Sequence, residues 1–407
     1  MTGPDPHIHD VGCTLRNGHS STSRRRGAPS ALAMALVCVT GASCTNGPPD
    51  EPAPFEWPLR DTWPIPVVPD DNPMSNEKVE LGRHLFYDVR LSGNETQSCG
   101  SCHEPARAFT DGRATAKGST DEDHPRGAMS LVNVAYASTL GWANQTLRVL
   151  EDQALVPLFG THPVELGLAG REDELLSRLS NDAFYDDAFS RAFPDDDEPL
   201  TLLNVVKAIS TFERTILSSN APFDRFWYDG DDDALSDEEQ RGLSLFMGER
   251  LECFHCHGGF NFTDASTHEA NAFEVLPFHN TGLYNLDDRG AYPLENQGLI
   301  EQTGVASDMG RFKAPTLRNI TLTAPYMHDG SMATLDDVID HYARGGRRID
   351  DGPHAGDGAE NPYKNGFVQG FLIDDDERAA LKAFLAALTD DEAQTRPELQ
   401  NPFENAP

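Results

Sequence analysis

Two copies of one five-residue string constrain this chain more than anything else in it: Cys99-Gly100-Ser101-Cys102-His103 and Cys253-Phe254-His255-Cys256-His257. Two thiols one helical turn apart suit the two vinyl groups of a single haem, which they hold through thioethers. The adjoining histidine then reaches the iron as proximal ligand. Zinc is the competing reading, since two Cys-x-x-Cys pairs offer four thiolates. The separation of about 150 residues, the histidine after each pair and an export-like N-terminus all count against zinc. The chain reads as the holder of two haem c groups.

That N-terminus places Arg24, Arg25 and Arg26 before a short apolar run, Ala31 to Val39, followed by Gly41, Ala42, Ser43 and Cys44. This is the layout of a signal peptide over 1–43, and the run is too short to span a membrane. Export implies a periplasmic protein. Two readings of Cys44 stay open, a lipid anchor or simple cleavage nearby, because Gly41 stands where a lipoprotein signal carries a larger aliphatic residue. With Cys13 and Cys38 in the leader, the cysteines of the haem strings are the ones left, and no structural disulfide is expected. A formal charge of −34 excludes a nucleic-acid partner, because binding a phosphate backbone requires basic patches.

Residues 44–74 are rich in Pro, Asp and Glu without helical period, and read as a tether or extended arm. Ser75 then opens an amphipathic helix carrying Leu81, Gly82, Leu85 and Phe86 into the first haem string. The pattern recurs: Ser236 and Glu239 form a capping box, Gly242, Leu245 and Phe246 repeat the Gly-x-x-Leu-Phe spacing, and the second string follows. Leu203, Val206, Ile209 and Phe212 mark a helix near the end of the first half, and the acidic loop Asp229–Asp233 marks the boundary. That loop lacks the glycine and final glutamate of an EF-hand and reads as solvated. Thr334 caps a further helix with Leu335, Val338, Ile339 and Tyr342 on one face. The expected fold is mainly α, with two c-type cytochrome domains in tandem over 75–232 and 233–390 and a tail over 391–407.

Two haems alone do not make an enzyme. What decides is acid–base chemistry beside an open iron face. Here the order of motifs resembles the bacterial di-haem cytochrome c peroxidase and MauG family over roughly 75–390. The resemblance rests on Leu81 to Phe86, the two haem strings, Phe109-Thr110-Asp111-Gly112, Ser130 to Tyr136, Ala221-Pro222-Phe223-Asp224, Ala314 to Asn319 and Ala324-Pro325-Tyr326-Met327-His328-Asp329-Gly330. The stretch Gly141 to Leu168 looks most like the MbnH branch, di-haem enzymes associated with copper-handling partner proteins.

The resemblance implies that hydrogen peroxide reacts at the N-terminal haem to give high-valent haem. Gln153 and Glu165 match the distal pair, and Trp142 matches the tryptophan between the haems. Where conventional peroxidases carry a capping histidine, eight residues after Asp111, this chain has Ser119, so the N-terminal haem is expected to be open without prior reduction. Fourteen residues after His328, in place of a methionine ligand to the C-terminal haem, stands Tyr342; Met332 and His341 are out of register. The resemblance also implies a calcium ion near Thr323 and Pro325, although Gly127 replaces the family's asparagine. Three functions follow: oxidation of a partner protein residue, tryptophan in the MbnH-like case; peroxide reduction with electrons from a small cytochrome; or electron carriage alone. Ser119 and Tyr342 favour the first, and Gln153 and Glu165 argue against the third.

Overall fold

The computed structural model describes residues 55–271 and 276–404; the signal peptide expected over 1–43 and Cys44 lie outside them. The fold is mainly helical, as the periodicities require. In the N-terminal half, α1 (Asn76–Tyr87), α2 (Leu150–Phe159), α3 (Glu172–Ser180), α4 (Ala183–Ala192) and α5 (Leu202–Glu213) surround a core that includes Leu81, Leu85, Phe86, Tyr185, Phe189, Ile209 and Phe212. In the C-terminal half, α6 (Pro222–Asp229), α7 (Asp237–Phe246), α8 (Ile300–Thr303), α9 (Leu335–Arg344), α10 (Asp375–Ala386) and α11 (Asp391–Thr395) are separated by long loops. Here the core includes Phe223, Phe246, Phe262, Tyr292, Ile339, Leu381 and Phe384. One two-stranded antiparallel pair, β1 (Arg348–Ile349) with β2 (Gly356–Asp357), closes the loop after α9.

The caps form as their residue types dictate: the side chains of Ser75, Ser236 and Thr334 accept from the backbone N–H of Lys78, Glu239 and Asp337. Of the apolar face proposed for α5, Val206, Ile209 and Phe212 are buried, but Leu203 is 58% exposed.

The repeated Gly-x-x-Leu-Phe has a packing cause. A Cβ on Gly82 would stand 1.9 Å from the Ala208 carbonyl oxygen and 2.9 Å from Phe212 Cβ; one on Gly242 would stand 1.9 Å from the Ala380 oxygen and 2.7 Å from Phe384 Cβ. In each half the helix before the haem string therefore crosses a partner helix, α5 or α10, at backbone contact. The repeat is larger than its visible motif, because Ala208 and Phe212 correspond to Ala380 and Phe384.

Three boundaries differ from the expectation. Phe223 of α6 packs in the C-terminal core and its N–H bonds to Ala387 O, so the chain passes between the cores ahead of α6 and the Asp229–Asp233 loop lies within the second half. Charge marked a turn, but the apolar Phe223 decides the border. The described part of the arm, residues 55–74, is docked: Trp63 is buried against Tyr136 and Phe260, and Arg60 bonds Ser219 O and Asn220 Oδ1. The tail returns to the first half, where Leu399 is buried and its carbonyl accepts from the Tyr87 hydroxyl at 2.6 Å.

Candidate di-haem site

Both proximal histidines are oriented by the backbone. His103 Nδ1 lies 2.8 Å from Phe109 O, and His257 Nδ1 lies 3.2 Å from Phe262 O. A backbone acceptor fixes the N–H on Nδ1 and leaves Nε2 as the lone-pair nitrogen. Burial, acting first, lowers the pKa of both imidazoles and keeps them neutral, the form that ligates a metal. The carbonyls are aimed by an uncommon backbone: Phe109 and Phe262 have φ of 59° and 49°, a region bulky residues rarely enter. The same device serves both halves.

The four cysteines are free thiols, and each keeps some accessible surface although burial pushes Cys102 up to about 11 and Cys253 up to about 12. Among the described residues no cluster of metal-ligating atoms joins the two strings, which removes the zinc reading. Cys256, His279 and Asp264 do come together, with His279 Nε2 2.7 Å from Asp264 Oδ2, but Cys256 belongs to its haem string. Histidines oriented alike at both strings, and a mostly apolar cavity beside His257, fit covalent haem.

Several of the expected positions line that cavity. Leu335, Val338, Ile339 and Tyr342, the face read from α9, all line it together with Cys253, Cys256 and His257. Burial raises the Tyr342 hydroxyl, with Cys256 and Cys253 adding to the rise. Met332 and His341 are buried outside the lining, so neither competes with Tyr342 for the cavity. Trp142 lines the same cavity, donates Nε1–H to Gly127 O at 2.8 Å and meets His328 edge-on at 6.4 Å. Thr323 and Pro325 are also in the lining, near Gly127.

Backbone pairing ties the segment bearing Glu165 to the C-terminal end of α2. Leu166 N–H bonds Pro157 O and Leu168 N–H bonds Leu158 O, so the segment bearing Glu165 returns along α2, which bears Gln153. Ser119 N–H bonds Glu165 O at 2.7 Å, and Glu122 Oε2 accepts from Val164 N–H. Thus the loop that carries Ser119 clamps Glu165. Burial raises the Glu165 carboxyl, His124 opposes the rise, and Glu165 in turn acts on Cys99 and Cys102. A carboxyl whose pKa burial raises therefore sits beside the first haem string.

Several structural residues were missed from sequence. Arg214 forms a buried bidentate pair with Glu151 at 2.8 Å and 2.8 Å, pinning α2 to α5; Glu213 lies buried with Oε2 unpartnered; and Lys313 is buried in the cavity wall. A charged pair 63 residues apart in sequence leaves no local pattern.

These features define a di-haem c-type oxidoreductase of the peroxidase kind. The profile described as di-haem cytochrome c peroxidase matches residues 76–233. Cytochrome-c peroxidase IdrP1 of Denitromonas iodatirespirans is 36% identical over 78% of this chain and 84% of its own length. Methylamine utilization protein MauG of Methylorubrum extorquens is 34% identical over 81% and 84%. A solved structure described as a MauG-like protein associated with microbial copper homeostasis superposes with a TM-score of 0.84 at 47% identity, over 86% of this chain and 99% of that one. The chain belongs to the di-haem cytochrome c peroxidase/MauG family, whose members hold two haem c groups.

Proposed function

We propose that this is a periplasmic MauG/MbnH-like enzyme that uses hydrogen peroxide to oxidise a residue, tryptophan, on a partner protein. The observation that carries the reading is Tyr342: a phenol, not a thioether, faces the cavity beside His257. An oxygen ligand favours oxidised iron, so it suits a haem that holds oxidising equivalents rather than one that accepts electrons from a small cytochrome. Likeness to the copper-homeostasis protein supports a secreted copper-binding partner. No described helix is long and apolar enough to cross a membrane.

When bound, the haems supply peroxide cleavage and storage of two oxidising equivalents. The chain's residues do the rest. His103 and His257, each with Nδ1 tied to a backbone carbonyl, would hold the haem irons through Nε2. Glu165, with Gln153, moves a proton from the inner to the outer oxygen of peroxide, which lets water leave. Trp142, hydrogen-bonded to Gly127 O, is placed for electron passage between the halves. Ser119, tied by its N–H to Glu165 O, offers no imidazole to close the N-terminal haem. Calcium beside Thr323 and Pro325 belongs to the same reading, with water in the place of the asparagine that Gly127 replaces.

The test is stoichiometric peroxide added to ferric protein with no reductant. The expected result is a prompt, lasting change in haem absorption, and oxidised tryptophan in the partner by mass spectrometry. A protein that ignores peroxide until a donor cytochrome half-reduces it is instead a conventional cytochrome c peroxidase.

A further inference from the structure

Three cationic side chains line the cavity: Arg113 is exposed to water, His279 is paired with Asp264 at 2.7 Å, and Lys313 is 8% exposed with no such partner. The Lys313 ammonium has three N–H donors, and one reaches Thr139 O at 2.7 Å. Its backbone N–H donates to Trp142 O at 2.8 Å. No carboxylate among the described residues pairs with it. Asp111 and Glu252 line the same cavity, but neither acts on Lys313, whose pKa burial alone lowers to about 8.

A buried charge is stable only when paired or neutralised. The cavity that Lys313 faces is the one that receives the C-terminal haem, because Cys253, Cys256 and His257 line it too. Two positions on from Lys313, the Pro315 carbonyl bears on the His257 ring. A haem brings two propionate carboxylates into such a space. We propose that Lys313 is the counter-ion of a propionate of the C-terminal haem, and that through the Thr139 and Trp142 carbonyls it ties that haem's edge to the segment bearing Trp142.

Lys313 is a positioning residue in this assignment, which rests on the two-haem reading of the site and not on the partner. Its charge offsets the propionate's and so favours the reduced iron. Removing it should move the midpoint potential of the C-terminal haem in the negative direction.

The experiment is a spectroelectrochemical titration of the two-haem protein, wild type against Lys313→Met and Lys313→Arg. A negative shift confined to the C-terminal haem in Lys313→Met, restored in Lys313→Arg, is expected. An unchanged potential in Lys313→Met with both haems attached, a shift confined to the N-terminal haem, or an equal shift in Lys313→Arg overturns the assignment. Should Lys313→Met fail to take up haem, Lys313→Gln, with an uncharged polar head, carries the same comparison. Peroxide is not used, so failure here is distinct from failure of the proposed function, which the ferric wild-type protein tests by itself.

Discussion

Gly242→Ala tests the helix crossing that builds the second haem domain. The added methyl meets the Ala380 carbonyl oxygen at 1.9 Å, and ordinary contact begins near 3.4 Å, so α7 and α10 must separate by about 1.5 Å. Forced expansion of a packed interface costs ~1–3 kcal/mol, and backbone against backbone belongs at the upper end. Alanine returns ~1 kcal/mol of helix propensity. The net expectation is a loss of about 2 kcal/mol, read as a Tm lower by several degrees in thermal unfolding followed by far-UV circular dichroism. The function should register it too, since Phe246 on α7 lines the haem cavity. Gly366→Ala is the control, because a Cβ there meets nothing within 4 Å and φ is not positive. A Gly242→Ala protein as stable as that control refutes the close-crossing argument.

Glu165→Gln should slow peroxide cleavage by roughly 10²–10⁴-fold in stopped-flow absorption, while haem content and the ferric spectrum stay unchanged. Tyr342→Phe should alter the C-terminal haem spectrum and abolish the lasting peroxide product; an unaltered ferric spectrum rejects Tyr342 as ligand. Arg214→Met leaves the part-buried Glu151 without its counter-charge, with Asn72 its remaining donor, which should cost ~1–3 kcal/mol in denaturant unfolding and loosen α2 under Gln153. Burial pushes Glu213 from 4.5 up to about 8, so between those values the folded state keeps a proton that the unfolded state has released. Stability from this group is full below pH 4.5 and falls as pH rises toward 8, by at most about 1.4 kcal/mol per unit, then levels. Glu213→Gln should flatten that slope in unfolding curves taken across the range; an unchanged slope removes Glu213 as its source.

Much of the site was legible because its chemistry is local in sequence. A haem string needs two thiols and a histidine within five residues, and the caps of α1, α7 and α9 need a hydroxyl three residues from the amide it accepts. The face of α9 was equally readable, since 3.6 periodicity put Leu335, Val338, Ile339 and Tyr342 along one stripe that does line the cavity. Charge was a poorer guide: the Asp229–Asp233 loop was solvated as expected but is not the border, which Phe223 sets by packing.

By itself the sequence determined the two haem strings, the helical class, the repeat of Gly82 and Gly242 ahead of each string, and the candidates Glu165, Gln153, Trp142 and Tyr342. Covalent ligands, caps and helical stripes depend on neighbours a few residues away, so they survive in one dimension. Only the tertiary structure decided that both glycines serve backbone contact, that Phe109 and Phe262 turn their carbonyls onto the histidines, and that Tyr342 rather than His341 or Met332 reaches the cavity. It alone left Lys313 without a carboxylate partner among the described residues, buried Glu213, and paired Arg214 with the distant Glu151. Burial and pairing are sums over residues far apart in the chain, and no spacing records them.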